Sequence, residues 1–301
     1  MEWFMDKLQR GGCFVPNPFS GKPYRVSLAP EDTALINFWT KGPGAVAPYI
    51  EKIQSMGYLS AFFISMTGYP SWLEGAVSSV RDSGDAVRLL KDLLGKEALW
   101  WRYDPVIITE KLTAEWHLEN FTSLCENVWA GNTERVIISL AHIDGPYASI
   151  RRALAAASLK NGDALRMPEY KKFIALAAAM SQQAENYGIS LEVCCSPMIR
   201  PDDLSLVKQG ACLSDEYLTK LDPALTGLRK KGTRKSSSVH GYASCGCAES
   251  RDIGANGTCA HGCVYCYANR HGGIIKPWSV HGTAPWLSAE PLPAAVERVS
   301  L

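Results

Sequence analysis

A chain of 301 residues, 47% hydrophobic and 20% charged, is long enough to bury one large core or two ordinary ones. Its formal net charge of +1 excludes a whole-molecule field that would draw in nucleic acid or an anionic membrane. No apolar run reaches the roughly 18 residues that a membrane span needs. The opening MEWFMDKLQRGG lacks the basic start, apolar middle and small-residue cleavage site of a secretion signal. Without such a signal, the ten cysteines point to a reducing cytoplasm, where clustered thiols serve metals or redox chemistry more often than disulfides. Five of the ten lie between Cys245 and Cys266, and Cys13 and Cys125 stand alone.

In chain order, the first predicted strand is ALINFW (34–39), followed by a helix over PYIEKIQSMG (48–57) that stops at Gly57. LSAFFISM (59–66) is the second strand, and DAVRLLKDLLG (85–95) is a helix stopping at Gly95. ALWWRY (98–103) is the third strand, and a helix over 113–129 follows it. RVIISLA (135–141) precedes a helix over 168–188 that opens on Pro168 and closes on Gly188, and ISLEVCC (189–195) is the fifth strand. Such runs read as strands buried on both faces. Their alternation with helices predicts a parallel sheet, and the missing Gly-rich dinucleotide loop favours a complete or partial α/β TIM-like barrel over a doubly wound sheet. Residues 1–224 form this barrel, 225–244 (LTGLRKKGTRKSSSVHGYAS) a basic connector, and 245–301 a cysteine-rich segment that folds back across the barrel mouth. The whole reads as one structural domain.

Within CGCAESRDIGANGTCAHGCVYCYAN (245–269), Cys259, Cys263 and Cys266 are spaced four and three apart, so three thiolates can converge on one inorganic core. A three-cysteine site leaves one metal position open. The simpler alternative is structural zinc, with Cys245 and Cys247 joining Cys259 and Cys263, and no catalysis. His261 fits a place beside such a site better than a ligand role.

This C-x3-C-x2-C pattern, with aromatic Tyr265 before the third cysteine, resembles the signature of the radical S-adenosylmethionine superfamily. The resemblance implies a four-iron four-sulfur (4Fe-4S) cluster on Cys259, Cys263 and Cys266, with the open iron binding S-adenosylmethionine. Tyr265 and Asn269 would lie against that cofactor, and an external reductant such as ferredoxin or flavodoxin would supply the electron. The chain also resembles the domain of unknown function 1848 family, in NPF (17–19), FWTKGP (38–43), TGYPSWLE (67–74), WRYDPVIIT (101–109) and most of 245–269. Three departures stand out. The cysteine motif comes near the end of the chain instead of after the first strand. No Gly-Gly-Glu follows any strand. Members of the family carry a further segment before the part matching Met1–Phe4, from which a missing barrel strand beside Ile36 and Phe38 is expected.

In α/β barrels the active site lies at the C-terminal ends of the strands. That rule selects Thr40 and Lys41, Thr67 and Tyr69, Arg102 and Asp104, His142 and Asp144, and Ser196. Lys41, Arg102, Asp104 and His142 are the candidate catalytic residues, together with Cys245 and Cys247, whose roles as second metal ligands, thiol hydrogen donors or packing groups stay open. Arg102 and Asp104 either pair with each other or bind something polar. Trp100, Trp101, Trp116 and Trp129 are predicted core. The basic run Arg229, Lys230, Lys231, Arg234 and Lys235 reads as a solvated loop, with phosphate contact as its alternative. The competing function is therefore a zinc-binding protein that contacts nucleic acid through this run.

Overall fold

The computed structural model describes residues 1–16, 22–141, 148–167, 169–194, 205–228, 246–254 and 258–268. Helix α1 (Glu2–Gln9) leads into an antiparallel hairpin, β1 (Gly12–Pro16) and β2 (Pro23–Ser27). Six parallel strands follow: β3 (Ile36–Thr40), β4 (Ser60–Ser65), β5 (Leu99–Val106), β6 (Arg135–Leu140), β7 (Ser190–Cys194) and β8 (Lys208–Gly210). They are hydrogen-bonded in their chain order, β3-β4-β5-β6-β7-β8. The helices are α2 (Ile50–Ser55), α3 (Val80–Leu94), α4 (Ala114–Leu124), α5 (Ala148–Lys160), α6 (Tyr170–Glu185) and α7 (Asp215–Leu221). No described helix is long and apolar enough to cross a membrane.

Local chemistry fixes the helix ends. Ser79 accepts a hydrogen bond from the Asp82 amide at 3.1 Å and starts α3, and Gly95 at φ 84° stops it. The helix therefore begins well before the predicted Asp85, because the cap and not the apolar stripe sets its start. Thr113 caps α4 in the same way through the Trp116 amide. A π turn over Cys125–Trp129 continues α4 to Trp129, where the sequence places the end of the helix.

Strand alternation divides the sheet into two faces. Phe62, Ile64, Leu99, Trp101, Tyr103, Val136, Ile138, Leu191 and Val193 face the main core, shared with α1, the hairpin, α2, α3, α4 and α6. Trp101 stacks between Phe121 and Trp129, at 4.8 and 5.3 Å between centroids, and its indole N–H donates to the Met66 carbonyl at 2.8 Å. The alternate residues Phe63, Trp100 and Ile137 form a second core with Tyr217 and Leu218 of α7 and with Cys212 and Cys247. Sequential parallel order places connecting helices on one face and curls the sheet around the other.

Among the described residues the sheet does not close: β3 pairs only with β4, and β8, three residues long, pairs only with β7. Of the complete or partial barrel that the sequence predicts, the described residues form an open six-stranded parallel sheet and no closed ring. At the free edge, Phe38 packs on Phe62 (4.9 Å) and on Phe4 of α1 (5.6 Å), so α1 lies against β3.

The inner face holds a buried ion pair near the N-terminal ends of its strands. Arg135 donates to Glu192 at 2.7 and 3.2 Å and to the Cys212 carbonyl at 2.9 Å, and its guanidinium lies 3.8 Å from the Tyr217 ring centre. Lys208 adds a second cation to Glu192 at 2.9 Å. Gly210 makes room for this pair, because a Cβ there would stand 2.1 Å from Glu192 Oε2.

Candidate functional site

The cysteine loop docks on the loop after β4, at the C-terminal edge of the sheet. Cys263 forms an isolated antiparallel bridge with Glu74, the Val264 amide donates to the Leu73 carbonyl at 2.9 Å, and the Ala76 amide donates to the His261 carbonyl at 2.9 Å. Gly262, at φ 66°, supplies the left-handed turn that lets the loop reverse between these contacts.

Beneath the loop lies Glu74, a buried carboxylate. Its Oε1 accepts hydrogen bonds from Lys41 Nζ (2.9 Å), from Thr67 Oγ1 (2.6 Å) and from the Tyr265 hydroxyl. Lys41 also lies 5.7 Å from the centre of the Tyr265 ring. Charges this buried persist only when paired and hydrogen-bonded. The cluster thus joins β3 through Lys41, β4 through Thr67 and the cysteine loop through Tyr265. Burial, followed by the neighbouring Glu74 carboxylate, pushes the Tyr265 phenol well above its ordinary range, so it stays a hydrogen-bond donor.

Tyr69 links this cluster to the next. Its ring lies 6.1 Å from that of Tyr265, its hydroxyl donates to the Pro105 carbonyl at 2.7 Å, and it lies within electrostatic reach of Glu74 and Asp104. Arg102 and Asp104 form the ion pair, Ser139 donates to Asp104, and the Arg102 guanidinium lies 4.7 Å from the Trp39 ring centre. Arg102 Nε is buried and has no hydrogen-bond partner. Burial opposes the Arg102 charge, but Asp104, Cys212 and Cys194 outweigh it and hold the guanidinium protonated. Tyr267, just beyond the cysteine loop, is within electrostatic reach of Arg102.

Lys41, Arg102, Asp104, Tyr265 and the three loop cysteines therefore gather at one edge of the sheet. Cys259 is exposed, Cys266 half-buried and Cys263 buried, and burial pushes the Cys263 thiol up to about 12. Both other thiols lie within electrostatic reach of Cys263. Three soft sulfur donors on one loop suit an iron–sulfur core in donor chemistry. Among the described residues, however, no three His, Cys, Asp or Glu side chains stand arrayed to hold a metal ion. His142, Asp144, Ser196, Cys245 and Asn269 lie outside the described residues, as do Arg229, Lys230, Lys231, Arg234 and Lys235. His261 contacts the Ala76 carbonyl through Nδ1 at 3.3 Å. Trp100, Trp101 and Trp129 are core, and Trp116 packs beside Tyr69 at 6.0 Å.

Two groupings escaped the sequence reading. Glu74 sits in TGYPSWLE, where an acid beside apolar Trp72 and Leu73 hints at burial, but its partners are remote in sequence. Cys194, Cys212 and Cys247 come from three separate segments and share the second core on the inner face. A groove of about 620 Å³ between α6 and β8, lined by Ser181, Glu185, Ser205 and Lys208, lies at the opposite ends of the strands.

These features define an α/β protein with a parallel six-stranded sheet and a thiol-bearing loop anchored over its C-terminal edge. The family described as Domain of unknown function (DUF1848) matches residues 1–268, and the chain belongs to it. No curated protein matches the chain.

Proposed function

We propose that this chain is a radical S-adenosylmethionine-type iron–sulfur enzyme of a reducing, cytoplasmic compartment, built on a partial α/β barrel, with Cys259, Cys263 and Cys266 as the protein ligands of a 4Fe-4S cluster. The observation that carries the reading is the docking of the cysteine loop on Glu74, beside Lys41 and on the edge that also bears Arg102 and Asp104. When bound, such a cluster supplies the electron for reductive cleavage of S-adenosylmethionine, drawn from a donor such as ferredoxin or flavodoxin. The chain's own residues do the rest. Glu74 is the carboxylate available to an amino group beside the loop, taking the place of the absent Gly-Gly-Glu. Tyr265 holds Glu74 and gives the loop an aromatic face. Arg102 and Asp104 present a fixed pair of opposite charges to a polar substrate, and Trp39 and Tyr69 flank them. Sequential strand order and helices packed on one face are what a partial barrel requires.

The test is anaerobic reconstitution with iron and sulfide, followed by S-adenosylmethionine and dithionite. The expected result is a brown protein that forms 5′-deoxyadenosine. A colourless protein that takes up zinc alone and forms none overturns the reading in favour of the zinc-binding alternative.

A further inference from the structure

The inner face of the sheet is filled toward the N-terminal ends of its strands and open toward their C-terminal ends. Phe63, Trp100 and Ile137 are buried there in one cluster with Tyr217 and Leu218 of α7. One alternation further along the same face the side chains change character. Ser65 follows Phe63, Arg102 and Asp104 follow Trp100, and Ser139 follows Ile137, and all of them are half-buried. Trp39, on the edge strand, is 43% exposed, and its ring centre lies 4.7 Å from that of Phe63 and 4.7 Å from the Arg102 guanidinium. Polar groups from successive strands, with an aromatic rim, thus line a recess at the C-terminal edge, on the side where the cysteine loop docks.

The charges of this recess cancel. Arg102 is ion-paired with Asp104, and the other Asp104 oxygen accepts from Ser139. Lys41, the next cation on this edge, is paired with Glu74 at 2.9 Å. A charged ligand would leave water for a site with no counter-charge to give it, a cost that its contacts there do not offset. A ligand held here is therefore uncharged. Hydrogen-bonding capacity remains, because a guanidinium carries five N–H donors and each carboxylate oxygen two lone pairs, more than the pair consumes. Ser139 gives its proton to Asp104, which leaves its oxygen as an acceptor. Donors and acceptors stand side by side, and a hydroxyl group, being both, matches either. Next to them the exposed ring of Trp39 is a flat apolar surface. A ring with hydroxyls at its edge and C–H groups on its faces meets both surfaces at once.

We propose that this recess binds an uncharged, polyhydroxylated ring, a sugar or cyclitol, with a C–H face on Trp39 and hydroxyls on the Arg102–Asp104 pair and Ser139. Such a ring is the substrate class of the radical enzyme proposed above and rests on that reading, whereas its binding does not need the cluster. Its C–H bonds, each beside a hydroxyl, are weakened toward hydrogen abstraction, which suits that chemistry. The Arg102–Asp104 pair stays closed when the ring binds and acts as one neutral, hydrogen-bonding plate.

The experiment measures binding to the full chain without iron, so that its outcome is separate from that of the radical reading. Saturation-transfer NMR and calorimetric titration are run with glucose, ribose and myo-inositol, and in parallel with gluconate, inorganic phosphate and uracil. The expected result is saturable binding of at least one neutral ring, with transfer strongest to its C–H protons, and weaker binding of the anions and of uracil. Trp39→Leu and, separately, Ser139→Ala should each weaken that binding by about tenfold, the loss of one well-made contact. Asp104→Asn, which leaves the Arg102 charge unbalanced, should turn the preference toward gluconate. Failure of all the neutral rings to bind, tighter binding of gluconate, phosphate or uracil to the unaltered chain, or binding unchanged in Trp39→Leu overturns the proposal. The ranking of the probes on the unaltered chain decides the matter even where a variant fails to fold. Sugar binding by a chain that never forms 5′-deoxyadenosine after reconstitution sinks the radical reading and leaves the binding site standing.

Discussion

Glu74 and Cys263 pair backbone to backbone across the edge of the sheet, and the Glu74 carboxylate also takes the hydroxyl of Tyr265, two residues beyond Cys263. One acidic residue after β4 thus holds the cysteine loop through both its backbone and its side chain.

Glu74→Ala should destabilise the fold by about 3 to 5 kcal/mol, because it strands the Lys41 ammonium, whose side chain is only 11% exposed, without its counter-charge. Glu74→Gln, which keeps an oxygen for Thr67 and Tyr265, should cost less. Urea denaturation of both variants checks the order, and iodoacetamide labelling of Cys263 should accelerate in step with it.

Among the cysteines, Cys259→Ala, Cys263→Ala and Cys266→Ala should each lose the proposed loop cluster, since each removes one of only three ligands. Cys247→Ala should leave that cluster in place. Iron and sulfide content after reconstitution, read against S-adenosylmethionine cleavage, distinguishes the two outcomes.

Gly210→Ala should destabilise by about 1 to 3 kcal/mol through overpacking against Glu192. The damage should shrink only in part in the Glu192→Ala background, which removes the carboxylate but keeps the Glu192 Cβ, 2.5 Å from the added methyl. A double-mutant cycle by chemical denaturation measures this coupling.

The pH dependence of stability should carry the mark of His117. The Ile107 carbonyl can only accept, so His117 Nε2 carries the proton at 2.9 Å and Nδ1 accepts from the Tyr103 hydroxyl at 2.8 Å. Asn120 in turn donates to the Tyr103 oxygen at 2.9 Å. Burial lowers the His117 pKa to about 4, below the unfolded value near 6.5. The unfolded chain therefore binds the extra proton first as pH falls. The contribution is whole above about pH 6.5 and shrinks between there and pH 4, by roughly 3 kcal/mol. His117→Gln should flatten this part of the profile in urea midpoints measured across that range.

Strands β4 to β7 were legible because burial on both faces leaves an apolar run, as in AFFI of β4 and VII of β6, whereas the edge strand β3 is only half-buried and shows through its apolar composition. β8 was not legible: Lys208-Gln209-Gly210 has no hydrophobic signal and is a strand only because β7 offers it a partner. The alanine-rich α5 shows too weak a stripe to stand out, and the β1–β2 hairpin lacks a two-residue turn signature. In the site, Lys41 could be named because it follows β3, and Arg102 and Asp104 because they stand toward the C-terminal end of β5. Glu74 and the trio around Cys212 could not, because what marks them is contact between remote segments, which spacing along the chain does not encode.

The anchoring of the cysteine loop also sets an order of assembly. Its contacts, Glu74 with Cys263, Leu73 with Val264 and Ala76 with His261, join positions far apart in the chain and have nothing to dock against until β4 and its following loop are in place. During synthesis the N-terminal strands emerge and begin to pair while the loop is still untranslated. The loop therefore docks on a sheet already built, and a cluster on its three cysteines, as proposed, would be inserted after the sheet has folded.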